Sequence, residues 1–542
     1  MRFTIRILQV VCALLCFLPW AAPGKAFSGE KKSGMDRDWV RIGVHVGDAG
    51  TFDPHLAKGS QDRAVADMLF NGLLRYVPGE APSFEPDLAA EFPVFSMRNN
   101  HQVWTVHLKQ EVRFHAQADR EPEVVSADDV VFSFQKAADP LTSAYASEYR
   151  GMRFEKVDTS TVRIIVEEPL SPLLFFPKIS NYSGGFIVSK QAIQDRGYAR
   201  FAKHPVGSGP FRFQGYIPGE RVVLAAHDRY FRGRPQVRGV IVRYMPRLSK
   251  REAAFRSGEL DLYVGSGDPA WVEKVRGVPG HLFDVYGVGE VMTLHLNTSK
   301  SPLDDHRVRR ALLLALDRDA FVRTTSPVIT DPAYAPVPED LVAGGLSAQK
   351  VRDLDLDYAF NLQKARGLLA DAGYAQGFPL RMIVSEKRIY RSCAKICRQQ
   401  LQRIKVDCTL EIVPHHEMHR RIRNDESDLV LYGAWRPTAD AYLTQFFHSD
   451  SMVGTRGASD TNFSHYTQVD GLLEAACREV RPRKQIQLWS HAQIRILSDA
   501  VAYPLFSVKQ NCVRRPDLEY EHPLTASMAL YPQVTEKTRF AR

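Results

Sequence analysis

The chain has 542 residues, of which 44% are hydrophobic and 25% charged, so it can form about two to four structural units with ordinary globular cores. These fractions exclude a disordered or fibrous protein. The formal net charge of +9 comes from 71 Lys and Arg against 62 Asp and Glu, interspersed along the sequence, which predicts a solvated surface and not a nucleic-acid-binding track.

The first 26 residues have the three-part plan of a secretory signal. MRFTIR supplies Arg2 and Arg6, ILQVVCALLCFLPW is an apolar run too short for a comfortable membrane span, and Gly24-Lys25-Ala26 is a small-residue cleavage site. We therefore expect cleavage near Ala26 and export of the mature chain, with an uncleaved anchor as the alternative. No later segment has about 18 apolar residues in a row, which predicts a soluble mature chain.

Strand and helix patterns alternate along the rest of the chain, which indicates α/β architecture. WVRIGVHVG alternates as a strand and QDRAVADMLFNGLL has helical spacing, while VWTVHLKQEVRFH and STVRIIVEEPL are strands separated by a helix after Ser126. Residues 220–244 contain two more strands, and residues 324–340, with four prolines, predict an extended loop. Between them lies a helix that Asp304 or Asp305 can cap. Its predicted buried stripe is Val308, Ala311, Leu312 and Ala315.

Five cysteines follow the signal segment, too few for a disulfide scaffold in a chain of this length. They are Cys393, Cys397, Cys408, Cys477 and Cys512. Cys393 and Cys397 share one face of a helical pattern, where a disulfide would distort the helix. We expect buried thiols, and the sequence leaves open whether one bridge forms.

Signatures of catalysis and cofactor binding are missing from the sequence. VGSGPFR at 206–212 lacks the last glycine of a dinucleotide fingerprint, and neither a GxxxxGK[ST] phosphate loop nor a GxSxG nucleophile elbow occurs. In PHHEMHRR, His415 and His419 could share a helix face, but the spacing is not HExxH and no Cys/His partner run exists elsewhere. The sequence therefore predicts no enzyme, no metal site and no bound cofactor.

Residues 296–318, LNTSKSPLDDHRVRRALLLALDR, resemble a segment of the bacterial extracellular solute-binding proteins of family 5. This family includes the oligopeptide-, dipeptide- and nickel-binding proteins of ABC importers. Other segments resemble the family in its own order: TFDPHLAKGSQDRAVADMLFNGLL, VWTVHLKQEVRFH, SADDVVFSF, PVGSGPFRF, KARGLLADAGY and NFSHYTQVDGLLEAA. The matches span roughly residues 50–480.

This resemblance implies a two-lobed α/β fold of the periplasmic-binding-protein type II, with an additional small domain inserted in lobe I. Lobe I would comprise residues 27–70, 186–286 and 497–542, the inserted domain residues 71–185, and lobe II residues 287–496. Such lobes close around a ligand by a hinge motion.

The resemblance also implies a function. The protein would be the periplasmic receptor of an ABC importer, capturing a peptide or peptide-like solute and delivering it to permease subunits in the inner membrane. A nickel chelate, an opine or a sugar is an alternative ligand, and a secreted hydrolase is an alternative function. We expect a monomer that binds no nucleic acid.

Peptide-binding members of the family carry an Asp three residues after a Trp, and this Asp pairs with the α-ammonium of the peptide. Here LYGAWRPTADAY matches the Trp with Trp435 but has Thr438 in the Asp position, and the nearest acid is Asp440. Pro437 removes one N–H donor for an extended ligand. Arg436 could instead meet an anionic group. The sequence leaves open whether the solute presents a cation to Asp440 or an anion to Arg436.

The resemblance implies further ligand contacts. Gly59 and Ser60 would line the cleft through backbone groups, because LAKGSQDR has the family's spacing from DPH. Tyr145 stands where peptide binders place an aromatic side chain of the inserted domain, with packing in a core as the alternative. Ala434 precedes the matched Trp, and Phe506 lies on the strand that returns to lobe I beside the hinge.

Overall fold

The computed structural model describes residues 38–117, 121–339, 342–455, 460–527 and 529–541. The predicted signal peptide, residues 1–26, lies outside the described residues.

The described chain alternates strands and helices, as the sequence predicts. The strands are β1 (Trp39–Val44), β2 (Leu74–Tyr76), β3 (Phe84–Pro86), β4 (Val94–Arg98), β5 (His101–His107), β6 (Met152–Lys156), β7 (Thr161–Val166), β8 (Phe211–Ile217), β9 (Arg221–Ala226), β10 (Gly239–Tyr244), β11 (Leu262–Val264), β12 (Leu282–Leu296), β13 (Thr330–Pro332), β14 (Pro379–Ser385), β15 (Asp407–Val413), β16 (Leu429–Ala434), β17 (Ala502–Arg514), β18 (Leu518–Glu519) and β19 (Arg539–Phe540). The α-helices are α1 (Ser60–Leu69), α2 (Ala127–Ala138), α3 (Pro172–Phe175), α4 (Lys190–Arg196), α5 (Tyr198–Phe201), α6 (Leu248–Arg256), α7 (Pro269–Arg276), α8 (His306–Leu314), α9 (Arg318–Val322), α10 (Ala348–Asp353), α11 (Leu362–Asp371), α12 (Arg388–Gln402), α13 (His415–Arg423), α14 (Ala439–Phe447), α15 (Asp470–Arg478) and α16 (Pro482–Ser498).

One nine-stranded sheet joins the ranges predicted for the two lobes. Its strand order is β16-β12-β17-β11-β1-β10-β9-β8, and β13 pairs with β17 outside this path. Strand β1 runs parallel to β10 and β11, and the other pairs are antiparallel. The longest pair, β12 with β17, runs from Leu282 opposite Arg514 to His295 opposite Ala502, with a register shift between Tyr286 and Glu290.

The helix that follows Asp305 packs into the core of lobe II. Asp305 Oδ1 accepts a hydrogen bond from the Arg307 N–H at 2.7 Å, so Asp305 and not Asp304 is the N-cap. The predicted stripe is confirmed, because each of its side chains is at most 1% exposed. Burial of this stripe in the core of lobe II, where α8 contacts α11, therefore holds α8 in place.

Residues 94–166 contain a separate antiparallel sheet of order β4-β5-β7-β6. Between β5 and β6, the predicted helix after Ser126 is α2. Ser126 and Asp129 form a capping box at its start, with the Ser126 N–H donating to Asp129 Oδ2 at 3.0 Å. Trp104 and Phe134 join this region to the same core cluster as β1. The separate sheet supports an inserted domain over 71–185, which we keep as a proposal.

The second boundary predicted for lobe II, at residue 497, lies before the point at which the buried residues change from the core of lobe II to the core of lobe I. Residues from Ala500 to Phe506 are buried in the same cluster as α8, while Cys512 belongs to the cluster of lobe I. Strand β17 therefore stays with lobe II over its first half and crosses to lobe I over its second half. The continuous strand pattern of β17 gave no sign that its two halves belong to different cores.

All five cysteines after the signal segment are free thiols, as expected. Four are buried, and Cys477 is half-buried. Among the helices that the structure describes, none is both long and apolar enough to cross a bilayer.

Leu312→Ala should lower the free energy of unfolding of lobe II by about 2–5 kcal/mol, since it removes a buried side chain and leaves a cavity. Urea denaturation followed by circular dichroism measures the change. Leu141→Ala is the matched control, because Leu141 is 90% exposed and its loss should change stability by no more than about 0.5 kcal/mol. Equal effects of the two substitutions would contradict the packing assigned to α8.

Candidate functional site

The candidate site lies where strands of lobe II end and helices begin. Helices α12, α13 and α14 follow the carboxyl ends of β14, β15 and β16. The carboxyl ends of such strands are the usual ligand side of an α/β layer. The predicted segment from Ala434 to Asp440 forms the turn between β16 and α14 and the start of that helix.

Thr438 has a structural role in this turn. Its Oγ1 accepts a hydrogen bond from the Ala441 N–H at 3.1 Å and so caps α14. A hydroxyl in this position supplies no charge for an ammonium group. If the solute carries a cation, the carboxylate in this segment that could pair with it is that of the next acid along the helix, Asp440.

Asp440 lies in the first turn of α14 as a desolvated carboxylate. Burial raises the pKa of Asp440 above its ordinary value, opposed by the nearby charge of Lys178 and by a hydrogen bond from Thr444. The Thr444 Oγ1 donates to Asp440 Oδ1 at 3.4 Å, whereas the Lys178 ammonium pairs with Glu148 at 2.7 Å. Within the described part of the chain, Asp440 has no ion pair. Its role as the anchor of a ligand cation stays a prediction.

Trp435 connects the two sides of the molecule. Its ring meets Tyr182 edge to face, with centroids 5.6 Å apart. Tyr182 belongs to a small buried cluster with Tyr76, Ala81 and Ala526, all outside the lobe II range. The buried indole Nε1 of Trp435 finds no acceptor among the described residues. Trp435, which lies in the range predicted for lobe II, therefore packs on a residue outside that range, and its indole N–H has no acceptor among the described residues.

Two arginines flank this aromatic pair. The Arg63 Cζ lies 5.0 Å from the centre of the Tyr182 ring, and its Nη1 donates to the Lys58 carbonyl at 2.6 Å. On the other side, Arg436 Nη1 donates to the Trp435 carbonyl at 2.8 Å and its Nε donates to Gln445. We call Arg63, Tyr182, Trp435, Arg436 and Asp440 the interlobe junction.

The contacts predicted for lobe I and for the inserted domain lie beside Arg63. Gly59 is the N-cap of α1 and Ser60 its first residue, both half-buried, with no side-chain cap. The Tyr145 hydroxyl donates to the Ala57 carbonyl, and burial raises its pKa, opposed by the charge of Arg63. Tyr145 also packs against the lobe I core. The structure thus brings these three residues near the junction, and their ligand contacts remain a proposal.

Two predicted contacts lie at buried strand positions. Phe506 has no exposed surface and lies in the core of lobe II, opposite Met292 in β12. Ala434 is 7% exposed and pairs with Val291. Both side chains fill the core because strand positions facing a helix layer are covered, and their ligand contacts stay predictions.

Sequence reasoning missed Arg63, Tyr182 and Glu290. Glu290 keeps contact with solvent, yet the protein around it desolvates the carboxylate and raises its pKa, opposed by the charges of Lys387 and Arg436. Arg63 follows directly on the matched loop segment LAKGSQD, which was a usable signal. The sequence contained no such signal for Tyr182 and Glu290, because their proximity to the junction depends on long-range folding.

His415 and His419 lie together on α13, with their Nε2 atoms 3.1 Å apart, and His415 Nδ1 lies 3.0 Å from Ser385 Oγ. Burial lowers the pKa of His419 to about 4, so the ring is neutral at pH 7. In the part of the chain that the structure describes, no group of three or more His, Cys, Asp or Glu side chains could hold a metal ion.

Comparison with known proteins gives one family. The model of bacterial extracellular solute-binding proteins, family 5 (middle region), matches residues 83–453. Heme-binding protein A of Haemophilus influenzae is 25% identical over 481 residues, covering 84% of this chain and 84% of that protein. The dipeptide-binding protein of Escherichia coli is 26% identical over 471 residues, covering 82% of this chain and 84% of that protein.

Solved structures agree with the predicted fold class. MoaA of A. tumefaciens R10, in complex with mannopinic acid, is 34% identical with a TM-score of 0.74, covering 93% of this chain and 100% of that chain. HbpA2 of Haemophilus parasuis is 24% identical with a TM-score of 0.78, covering 91% of this chain and 99% of that chain. The fold is that of two-lobed periplasmic binding proteins with mixed α/β content.

Thr438→Ala should lower the free energy of unfolding by about 1 kcal/mol, because α14 loses its side-chain cap. Thr438→Ser keeps an accepting hydroxyl and is the matched control. Thermal unfolding of the two variants and the parent protein measures the difference. If the alanine and serine variants unfold at the same temperature, Thr438 is not the cap.

Proposed function

Because the chain belongs to the bacterial extracellular solute-binding proteins of family 5, we propose that it is the periplasmic receptor of an ABC importer. It captures a peptide or peptide-like solute between its two lobes and delivers the solute to the membrane permease. Homologues of the family are extracellular or periplasmic, which supports export. Cleavage near Ala26 and a monomeric state belong to the proposal.

The observation that carries this proposal is the interlobe junction. Trp435 of lobe II packs on Tyr182 across the junction, and two buried N–H groups there, Arg63 Nε and Trp435 Nε1, have no hydrogen-bond partner among the described residues. Groups buried without partners cost free energy, and a ligand that supplies the partners recovers it. A solute that contacts both sides therefore favours the closed arrangement, as binding between two lobes requires.

Relatives support a solute with amino-acid chemistry. The similar proteins include a dipeptide-binding protein and a structure in complex with mannopinic acid. Asp440 provides a desolvated carboxylate for an ammonium or amine group of such a solute. The mannopinic acid complex, at 34% identity, favours an opine as the second candidate ligand. A binding protein needs no turnover, and the similar proteins named above are binding proteins.

The proposed function is tested on protein purified from its periplasmic fraction. Mass spectrometry after denaturation should identify a bound peptide-like solute in stoichiometric amount. Adding that solute back to refolded protein at a hundredfold excess over Kd should stabilise the fold by about 2.7 kcal/mol, seen as a higher melting temperature. The solute should be recovered unchanged. Chemical conversion in proportion to protein and time would instead indicate an enzyme.

Asp440→Asn should weaken binding of an amine-bearing solute by about 2–5 kcal/mol, or roughly thirty- to several-thousand-fold in Kd. The pH gives a second readout. Burial raises the pKa of Asp440 above 3.8, so affinity should be full above that raised pKa and fall as the pH drops through it. Isothermal titration of the parent protein and Asp440→Asn over a pH series measures both effects.

Asp158→Asn is the matched control, since Asp158 is an exposed acid outside the junction. Its affinity should equal that of the parent protein at every pH. If Asp440→Asn binds within about threefold of the parent, a difference of less than about 1 kcal/mol, the anchor lies elsewhere.

A further inference from the structure

A second cleft lies in the range predicted for lobe I, outside the interlobe junction. Its volume is about 580 Å³, which is within the range of small-molecule sites. Helices α6 and α7, the turn before β12 and the turn after β17 form its walls. Its lining comes from residues 252–281 and 515–517, and so neither from the range predicted for lobe II nor from the junction. The cleft is therefore separate from the site proposed for the captured solute.

Aromatic rings and apolar side chains line much of this cleft. Tyr263 on β11 is 3% exposed, and the half-buried Phe255 packs on it with ring centroids 5.2 Å apart. The His281 ring lies 6.2 Å from that of Phe255, and its Nε2 is held 2.7 Å from the Val275 carbonyl oxygen. Val278 adds an apolar wall that is 45% exposed. An aromatic ligand would remove this surface from water and find ring edges and faces to pack on.

Two cations at the rim of the cleft have no protein partner. Arg256 ends α6 and Lys274 lies on α7, and both are exposed. Within the part of the chain that the structure describes, neither side chain has an ion pair or a hydrogen bond. Burial raises the pKa of Tyr263, and the charge of Arg256 opposes this rise, so the guanidinium lies close to the aromatic lining. Positive charge and aromatic surface are thus available together.

The carboxylates of the same cleft are already occupied. Glu252 Oε1 accepts a hydrogen bond from the Trp271 indole N–H at 3.0 Å. Asp517 accepts two hydrogen bonds from the guanidinium of Arg515, at 2.8 and 2.6 Å, so this third cation of the lining is neutralised. The charge that remains for a ligand is therefore positive.

We propose that this cleft is a second ligand site, which binds an aryl carboxylate. The ring of the ligand packs on Phe255 and Tyr263, and its carboxylate pairs with Arg256 and Lys274. A guanidinium binds a carboxylate through two parallel N–H···O bonds, and an ammonium adds a mobile point charge. Because the whole lining lies in one lobe, binding needs no closure of the lobes and is independent of the captured solute.

Isothermal titration with three probes tests the site. Naphthaleneacetate has the ring and the charge, naphthaleneacetamide has the ring alone, and acetate has the charge alone. The parent protein should bind naphthaleneacetate at one site and each of the other two at least about tenfold more weakly. Arg256→Gln and Lys274→Gln should each weaken binding of naphthaleneacetate about threefold, and the double variant about tenfold, because exposed ion pairs contribute modestly and independent losses add.

Phe255→Leu separates the contribution of the ring from that of the charge. It keeps an apolar side chain but removes an aromatic surface, so it should weaken binding of naphthaleneacetate and naphthaleneacetamide by the same factor. The glutamine variants should instead bring the affinities for the acid and the amide closer together. Melting temperatures of all variants identify any that fail to fold.

Two further variants are controls for position. Arg276→Gln is matched to Lys274→Gln, because Arg276 lies on the same helix, is 48% exposed, pairs with Glu273 at 3.8 Å and does not line the cleft. Arg436→Gln changes the interlobe junction instead. Both should bind naphthaleneacetate with the Kd of the parent protein.

Three results would overturn the second site. The first is a parent protein that does not bind naphthaleneacetate, or binds it no better than the amide or acetate. The second is an affinity for naphthaleneacetate that the double variant leaves unchanged. The third is a loss of binding in Arg436→Gln, which would place the probe in the interlobe junction. Each of them leaves the proposed receptor function standing, because that function is tested by the solute that the protein captures.

Discussion

The hydrogen-bonded ladder between β12 and β17 is the constraint on which the two-lobed architecture depends. Each strand has one end in the core of lobe I and the other in the core of lobe II. The ladder shifts register between Tyr286 and Glu290, where the chain changes lobes. Gly289 lies in this interval, and a Cβ there would lie 2.2 Å from the Val508 carbonyl oxygen, so no side chain fits. The ladder shifts register a second time between Met292 and Thr293, and it joins the two lobes along one shared pair of strands.

Charged groups inside the lobes and at the interlobe junction have different partners. Inside lobe I, Lys136 and Asp53 form a buried ion pair, with their Nζ and Oδ2 atoms 2.9 Å apart. At the interlobe junction, Arg63, Arg436 and Asp440 have no ion pair in the described chain, and the Trp435 Nε1 has no acceptor there. Under the function that we propose, the captured solute supplies partners for these groups and so links closure of the lobes to capture.

Sequence reasoning succeeded where the signal is local. The apolar stripe of α8 depends on residues within about two turns, so spacing alone predicts it, whereas the structure was needed to choose Asp305 over Asp304 as the cap. The resemblance of ordered segments predicted the family and the fold class, and both are confirmed. The ligand contact of Phe506 stays a prediction, and its side chain lies in the core of lobe II.

The sequence by itself determined the helices and strands, the family and the position of the turn around Trp435, because these depend on short-range periodicity and recognisable segments. Tertiary structure alone decided which distant side chains meet. Arg63 and Trp435 are separated by most of the chain, and only folding brings the Arg63 guanidinium over the Tyr182 ring on which Trp435 packs. It also decided that Thr438 caps a helix while Asp440 is left desolvated, since a polar side chain acquires its role from the partners and solvent that the fold allows it.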